Sequence, residues 1–213
     1  MNLISENILL IKKTIGLYPL FWPRLYSILR SLILPISEIE SILPKTGYIL
    51  DVGCGYGLTT IYFALSSSRR RVKGIELESG RIKIAEMAAS NIKNVSFMSD
   101  NLATKEQKKY QTIVLIDLLH HLSTTNKLTV LNQCFKLLTP NGLLVIKDIN
   151  TNPRFKYLWN YFHDLIMTRF GSLEFYNSSK MITLLVSSGF KVTKHYSIKH
   201  LLYPHYLYVC KKS

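Results

Sequence analysis

Short apolar runs alternate with segments of helical periodicity over most of the chain. The apolar runs predict strands at 48–51, 72–76, 95–98, 112–116 and 143–147, and the apolar spacing predicts helices at 58–66, 79–91 and 124–138. Strands that alternate with helices in this way predict a parallel, doubly wound α/β sheet. Right-handed crossovers then place the loops at the carboxyl ends of the strands along one edge, where ligands bind.

The two ends of the chain follow different patterns. Residues 1–45 are apolar segments broken by four prolines, which predicts short kinked helices that form an N-terminal helical cap ahead of a main domain at 46–213. Pro153 predicts the start of a helix to about Arg169, within a helical covering insert at 149–180. A helix at 177–188 and β-like runs at 190–198 and 203–210 follow, and the two runs predict a C-terminal antiparallel hairpin on a seven-stranded sheet.

The sequence ILDVGCGYG joins the first predicted strand to the next helix. Asp51 ends the strand, and Gly53, Gly55 and Gly57 alternate into the helix start. Glycines here let the backbone turn tightly and let a ligand approach without interference from Cβ atoms. Glu76 ends the second strand, where an acidic residue binds ribose hydroxyls in nucleotide-binding folds. This order of elements predicts a nucleoside site.

The carboxylate of Asp51 bears on the kind of nucleoside. A loop that binds pyrophosphate avoids a carboxylate beside the anion, whereas a positively charged nucleoside is attracted to one. S-adenosyl-L-methionine carries adenine, ribose, an α-amino group and a sulfonium. The sequence therefore predicts S-adenosylmethionine as the cofactor, and an NAD-dependent oxidoreductase is the disfavoured alternative.

With these motifs the chain resembles the class I S-adenosylmethionine-dependent methyltransferases, which have a Rossmann-like seven-stranded sheet and a terminal antiparallel hairpin. The resemblance implies that the glycine loop holds the methionine moiety and that Glu76 binds the ribose. It implies that Asp100, with Asn101 beside it, faces the adenine amino group. The run IDLLHHL, which begins with Ile116 and Asp117, would lie under the reacting methyl group.

The predicted cofactor-binding residues have structural alternatives. Asp51 could instead cap the glycine turn, Asp100 could be an ordinary turn residue, and Asp117 could orient the loop backbone without touching the cofactor. The family's LxPGGxL turn appears here as LTPNGLL, with Asn141 in place of a glycine. The cofactor set is Asp51, Gly53, Gly55, Gly57, Glu76, Asp100, Asn101 and Asp117.

Two adjacent histidines, His120 and His121, follow the fourth strand and are the candidate catalytic residues. An oxygen nucleophile with a high pKa needs a base, and histidine is the usual base near neutral pH. Phenolic O-methyltransferases of the same fold have a histidine base at a similar position, although the Asp and Trp that follow it there are missing here. Packing of the loop is the alternative role for both histidines.

The leading hypothesis is a methyltransferase that acts on a small or lipid-like acceptor, with methylation at oxygen. An RNA ribose methyltransferase is an alternative, because Lys147, Asp117 and Glu174 could supply part of a Lys-Asp-Lys-Glu set. No lysine precedes the glycine loop where that set needs one, so nucleic acid is a disfavoured partner. A non-catalytic nucleoside-binding module of the same fold is the other alternative.

The charge balance adds an anionic partner to this prediction. The chain has 27 Lys and Arg residues against 13 Asp and Glu residues, a net charge of +14, which attracts anionic molecules and surfaces. Peripheral contact with an anionic membrane through residues 1–45 is one expectation, and a generally basic surface is the alternative. Glu6 before the first apolar stretch, with Lys12 and Lys13 after it, is the wrong polarity for a signal peptide, so a cytoplasmic location is expected.

Three cysteines, Cys54, Cys134 and Cys210, lie far apart in the sequence and form no CxxC pair. Zinc sites and disulfide frameworks use closely spaced or paired cysteines. The sequence therefore predicts neither a disulfide nor a metal site.

Overall fold

A computed structural model describes residues 3–100, 102, 108–152, 173–200 and 202–212. The predicted helix from Pro153 to Arg169, and with it most of the 149–180 insert, lies outside the described residues, as does Asn101. The chain forms two compact units, Met1–Lys105 and Glu106–Ser213.

The first unit consists of three N-terminal helices followed by alternating strands and helices. Prolines bound the N-terminal helices, since Pro35 lies directly before the third and Pro44 follows it. Strand β1 pairs in parallel with β2, and β2 pairs in parallel with β3. The elements are α1 (Leu3–Gly16), α2 (Phe21–Ile33), α3 (Ile36–Ile42), β1 (Gly47–Val52), α4 (Leu58–Ser66), β2 (Arg70–Glu76), α5 (Ser79–Ala88) and β3 (Val95–Ser99).

A buried arginine joins α3 to the sheet of this unit. Arg70 is fully buried and donates to Glu40 Oε2 at 2.7 Å and to the Leu43 carbonyl at 3.1 Å. A buried guanidinium needs both a counter-charge and hydrogen-bond acceptors, and α3 supplies them. Helix α3 is therefore fixed to the start of β2.

In the second unit, the described residues form four strands, two helices and a short 3-10 turn. Ser123 and Asn177 cap the two helices, and their side chains accept hydrogen bonds from Asn126 N and Lys180 N. Strand β4 pairs in parallel with β5, whereas β7 pairs antiparallel with both β5 and β6. The elements are β4 (Tyr110–Ile116), the 3-10 turn (Leu119–His121), α6 (Thr124–Leu137), β5 (Leu138–Ile149), α7 (Ser178–Ser187), β6 (Phe190–Ser197) and β7 (His205–Lys212).

The strands form a seven-stranded sheet in the order β3-β2-β1-β4-β5-β7-β6. The predicted parallel strands and the terminal antiparallel hairpin are therefore present. Strand β5 begins at Leu138 rather than at 143, because it includes the TPNG turn. The extra residues of this turn are accommodated where the register between β4 and β5 shifts, between Tyr110 and Thr112. Asn141 has φ +59° there, a left-handed conformation that asparagine tolerates. Within the described residues, no helix is long and apolar enough to cross a membrane.

Candidate active site

The glycine loop connects β1 to α4 in the first unit. Gly53, Gly55 and Gly57 have φ values of +75°, +56° and +82°, which side chains rarely adopt. A Cβ atom at Gly57 would lie 2.8 Å from the Phe97 ring and 2.9 Å from the Ala85 Cβ, so this glycine is required by packing. A Cβ at Gly55 would meet no atom within 4 Å. Gly55 therefore borders open space.

Glu76, the last residue of β2, directs its carboxylate to the same loop. Its Oε2 accepts a hydrogen bond from Gly55 N at 3.1 Å, and its Oε1 accepts from Leu77 N at 2.9 Å and Glu78 N at 3.2 Å. These contacts fix the carboxylate orientation through backbone donors alone. A carboxylate held in this way retains acceptor capacity for ribose hydroxyls.

Asp51 lies beneath the glycine loop and is 1% exposed. Its Oδ2 accepts hydrogen bonds from Thr59 Oγ1 at 2.7 Å and Thr60 Oγ1 at 2.6 Å, both in the first turn of α4. Burial raises the pKa of Asp51, while the Thr60 and Thr59 hydroxyls lower it. In the structure Asp51 links the strand end to the start of the helix; its contact with a cofactor stays a prediction.

Asp100 follows β3, and its backbone N donates to the Glu76 carbonyl at 3.2 Å. The two acidic residues therefore lie at the ends of adjacent parallel strands, as the sequence predicted. Asn101, the neighbour of Asp100, lies outside the described residues.

These residues of the first unit fit S-adenosylmethionine. The open space at Gly55 leaves room for a ligand against the backbone, and Glu76 supplies an oriented carboxylate at the same loop. Asp51 is a buried acceptor beneath the loop, and an anionic group on the ligand would lie unfavourably close to it.

The second unit contains a buried histidine paired with an aspartate. His120 is 3% exposed, and its Nδ1 is hydrogen-bonded to Oδ1 of Asp148, which is 1% exposed. The same aspartate oxygen accepts a bond from Ile149 N at 2.8 Å. A carboxylate beside Nδ1 favours the tautomer that carries the proton on that nitrogen, which makes Nε2 the basic nitrogen of the ring. This is the arrangement of an oriented general base.

A short segment before α7 fixes the position of His120. Phe175 stacks on the imidazole with ring centroids 5.0 Å apart and an interplanar angle of 11°. Glu174 N donates to the His120 carbonyl at 2.8 Å. Lys127 of α6 connects this segment to the end of the 3-10 turn, since its Nζ donates to the carbonyls of both Leu122 and Glu174. His121 lies beside His120, with the rings tilted at 46° and their centroids 4.0 Å apart.

Asp117 and Lys147 form a second buried pair in this unit. Asp117 has φ +50°, its backbone N donates to the Lys147 carbonyl at 2.9 Å, and its carboxylate accepts a hydrogen bond from the fully buried Lys147 ammonium. The lysine and the carboxylate satisfy each other's charge. The pair fixes the loop that follows β4.

The Lys-Asp-Lys-Glu alternative is not supported by the position of Glu174. Its carboxylate contacts Thr124, Tyr176, Lys127 and Lys180, and not Lys147 or Asp117. The hydrogen bond from Thr124 is the largest cause that lowers the pKa of Glu174. Glu174 thus belongs to the segment that supports His120.

Three of these side chains offer metal-ligand atoms that lie within 4.8 Å of one another, namely Asp117, His120 and Asp148. Each already has a protein partner: Asp117 is paired with Lys147, and His120 is paired with Asp148. The expectation of a site that uses no metal stays a prediction.

Sequence reasoning missed Asp148 and Phe175. Asp148 follows Lys147 near the carboxyl end of β5, at the edge where ligands were expected, so its position carried a usable signal. Phe175 lies in a segment without periodicity, and no sequence signal pointed to its stacking on His120.

Residues 21–195 match the family model described as a methyltransferase domain. The chain therefore belongs to the methyltransferase domain family.

Two curated relatives and one solved structure illustrate this similarity. A ubiquinone biosynthesis O-methyltransferase of Psychrobacter arcticus is 30% identical over 112 residues, covering 50% of this chain and 42% of the relative. A phosphoethanolamine N-methyltransferase of Plasmodium falciparum is 30% identical over 115 residues, covering 53% and 42%. The chain thus spans less than half the length of these relatives.

The solved structure is a magnesium protoporphyrin IX methyltransferase from Synechocystis with bound S-adenosylhomocysteine. It has a TM-score of 0.67 and 18% identity, and the match covers 84% of this chain and 82% of that one. The predicted class I methyltransferase fold and S-adenosylmethionine as the family's cofactor are confirmed.

Proposed function

We propose that this protein transfers the methyl group of S-adenosylmethionine to a hydroxyl oxygen of a small-molecule acceptor. The observation that carries the proposal is the His120–Asp148 pair. A neutral amine attacks a methyl group without prior deprotonation, whereas a hydroxyl gains most from a base that removes its proton. An oriented histidine base therefore favours an oxygen acceptor.

Each residue of the second unit has a role in this proposal. Nε2 of His120 takes the proton from the acceptor hydroxyl, and Asp148 stabilises the imidazolium that results. Phe175 holds the ring in place, and burial keeps bulk water from the imidazole. His121 is a neighbour that supports the loop.

The residues of the first unit hold the cofactor in this proposal. The glycine loop receives the methionine moiety, Glu76 binds the ribose hydroxyls, and Asp100 with Asn101 faces the adenine. When bound, S-adenosylmethionine supplies an electrophilic methyl group on a sulfonium. Asp51 joins the end of β1 to the first turn of α4 and so supports the loop from beneath.

The proposed acceptor class includes lipid-like molecules reached by peripheral contact with an anionic membrane. The net charge of +14 and the apolar N-terminal helices support this part of the proposal. The relatives named for ubiquinone biosynthesis and for phosphoethanolamine support a small-molecule acceptor.

The test is methyl transfer from isotope-labelled S-adenosylmethionine to cell extract separated into lipid, small-molecule, RNA and protein fractions. The wild type is expected to label the lipid or small-molecule fraction. His120→Ala should lower the rate by roughly 10²- to 10⁴-fold, as expected for loss of a general base. Asp148→Asn should lower it less, and neither variant should change the affinity for S-adenosylhomocysteine.

His195→Ala is the matched control, because His195 is exposed on β6 and stacks only loosely on Tyr206, with centroids 6.1 Å apart. It should transfer methyl groups at the wild-type rate. Label confined to RNA or protein, or an unchanged rate in His120→Ala, would contradict the proposal. Cofactor binding without label in any fraction would favour a non-catalytic module.

A further inference from the structure

Helix α2 has its apolar side turned to solvent. Phe21, Trp22, Leu29 and Leu32 are 69%, 75%, 53% and 72% exposed, and the residues that α2 buries are Pro23 and Ser27. At 100° per residue the four exposed side chains lie on one side of the helix, opposite the two buried ones. An apolar stripe that faces outward is the reverse of an ordinary surface helix. Patches of this kind mark interaction sites.

The charged residues in the segment that contains this stripe, defined as Phe21, Trp22, Leu29 and Leu32, are all basic. The segment 7–37 contains Lys12, Lys13, Arg24 and Arg30 and no acidic residue. Lys12, Lys13 and Arg24 are exposed, and Arg24 is held at the end of α1 by a hydrogen bond to the Gly16 carbonyl at 2.8 Å. At 100° per residue, Arg24 and Arg30 flank the exposed apolar stripe, one on each side.

We infer that the outward stripe of α2 is a docking surface for an anionic phospholipid bilayer. Interfacial helices combine Trp, Phe and Leu on one side with Lys and Arg beside them, which is the arrangement here. Tryptophan prefers the boundary between headgroups and acyl chains. With 13 residues, α2 is too short to span a bilayer and lies on its surface.

A second copy of the chain is a poorer occupant of the stripe. Two copies would each bring a net charge of +14 to the contact, and like charges repel. An anionic surface instead complements this charge. The inference builds on the peripheral membrane contact in the proposed function and names the surface that makes it.

The test uses the full chain with vesicles of phosphatidylglycerol and phosphatidylcholine, and with vesicles of phosphatidylcholine alone. Flotation at low salt should recover the protein with the anionic vesicles and much less with the neutral ones, and high salt should weaken the binding. Trp22→Gln/Leu32→Gln should weaken partitioning at least tenfold. In a Trp159→Phe background, emission of Trp22 should shift to shorter wavelength on anionic vesicles.

The matched control replaces two exposed apolar residues on other helices, Met87→Gln/Val186→Gln, and should partition like the wild type. All variants should keep wild-type affinity for S-adenosylhomocysteine, so failure of docking is distinguishable from failure of the cofactor site. Absence of wild-type binding to anionic vesicles overturns the inference. Equal binding by the α2 double variant also overturns it, as does a wild-type dimer that this variant converts to monomer.

Discussion

Gly55 and Gly57 both have positive φ values, yet an added side chain would meet different surroundings at the two positions. At Gly57 a Cβ overlaps Phe97 and Ala85 of the protein itself. At Gly55 it enters open space next to the Glu76 contact. Gly57 is therefore required by the packing of the protein, whereas Gly55 leaves space for a ligand.

Gly55→Val is expected to fold and to lose S-adenosylmethionine binding, because the valine occupies the space proposed for the methionine moiety. The left-handed conformation should cost roughly 1–2 kcal/mol of stability. Gly57→Val should unfold at a lower urea concentration than Gly55→Val, since it adds overlap with Phe97. Urea unfolding and calorimetric titration measure both effects, and near-native affinity in folded Gly55→Val would rule out the glycine-loop assignment.

Glu76→Ala is expected to weaken cofactor binding by about 2 to 3 kcal/mol, the usual loss for charge-assisted hydrogen bonds. Glu78→Ala is the control, because Glu78 forms an exposed ion pair with Arg81 at 2.7 Å and such pairs contribute little. Calorimetry measures both variants. A loss below about threefold for Glu76→Ala would mean that another residue binds the ribose.

Among the elements, Tyr18 connects the N-terminal helices to the glycine loop. It is fully buried between α1 and α2, and its hydroxyl donates to the Tyr56 carbonyl at 2.8 Å. Burial raises the pKa of Tyr18, which keeps the hydroxyl protonated as a donor. Tyr26 of α2 adds an edge-to-face contact with Tyr56 at 5.2 Å. The helical cap thus supports the loop directly.

Tyr18→Phe is expected to lower affinity for S-adenosylhomocysteine by a few-fold to about tenfold, in line with about 0.5–1.5 kcal/mol for one hydrogen bond. Tyr62→Phe is the matched control, because its hydroxyl bonds Asn7 of α1 at 3.1 Å and does not touch the loop. Equal affinities of the two variants, measured by calorimetry, would show that the cap does not position the loop.

The elements also show what the sequence could predict. Periodicity located the parallel strands and the helices between them, because each has its own apolar pattern. The predicted ends of the elements were less accurate. The last strand was predicted to begin at 203, but β7 begins at His205, directly after Pro204. The His120–Asp148 contact joins residues 28 apart in sequence, and only the pairing of β4 with β5 brings them together.

For the whole molecule, the three cysteines are free and buried, as expected from their spacing. Burial raises the pKa of the Cys54 thiol and raises those of Cys134 and Cys210 to about 12. A raised thiol pKa leaves the unreactive protonated form dominant at pH 8.

Iodoacetamide at pH 8 is therefore expected to leave all three cysteines unmodified in the native protein and to modify all three in urea. Mass spectrometry measures the number of adducts. Rapid native labelling of Cys54 would mean that its surroundings below the glycine loop open readily to solvent.

The most direct test of the central claim, a glycine loop built for S-adenosylmethionine, is thermal unfolding with S-adenosylhomocysteine or NAD. At about 100-fold excess over Kd, a bound ligand adds about 2.7 kcal/mol, which raises the Tm of a chain of this size by roughly 5–10 °C. S-adenosylhomocysteine is predicted to produce this rise and NAD none. A rise with NAD and none with S-adenosylhomocysteine would contradict the account.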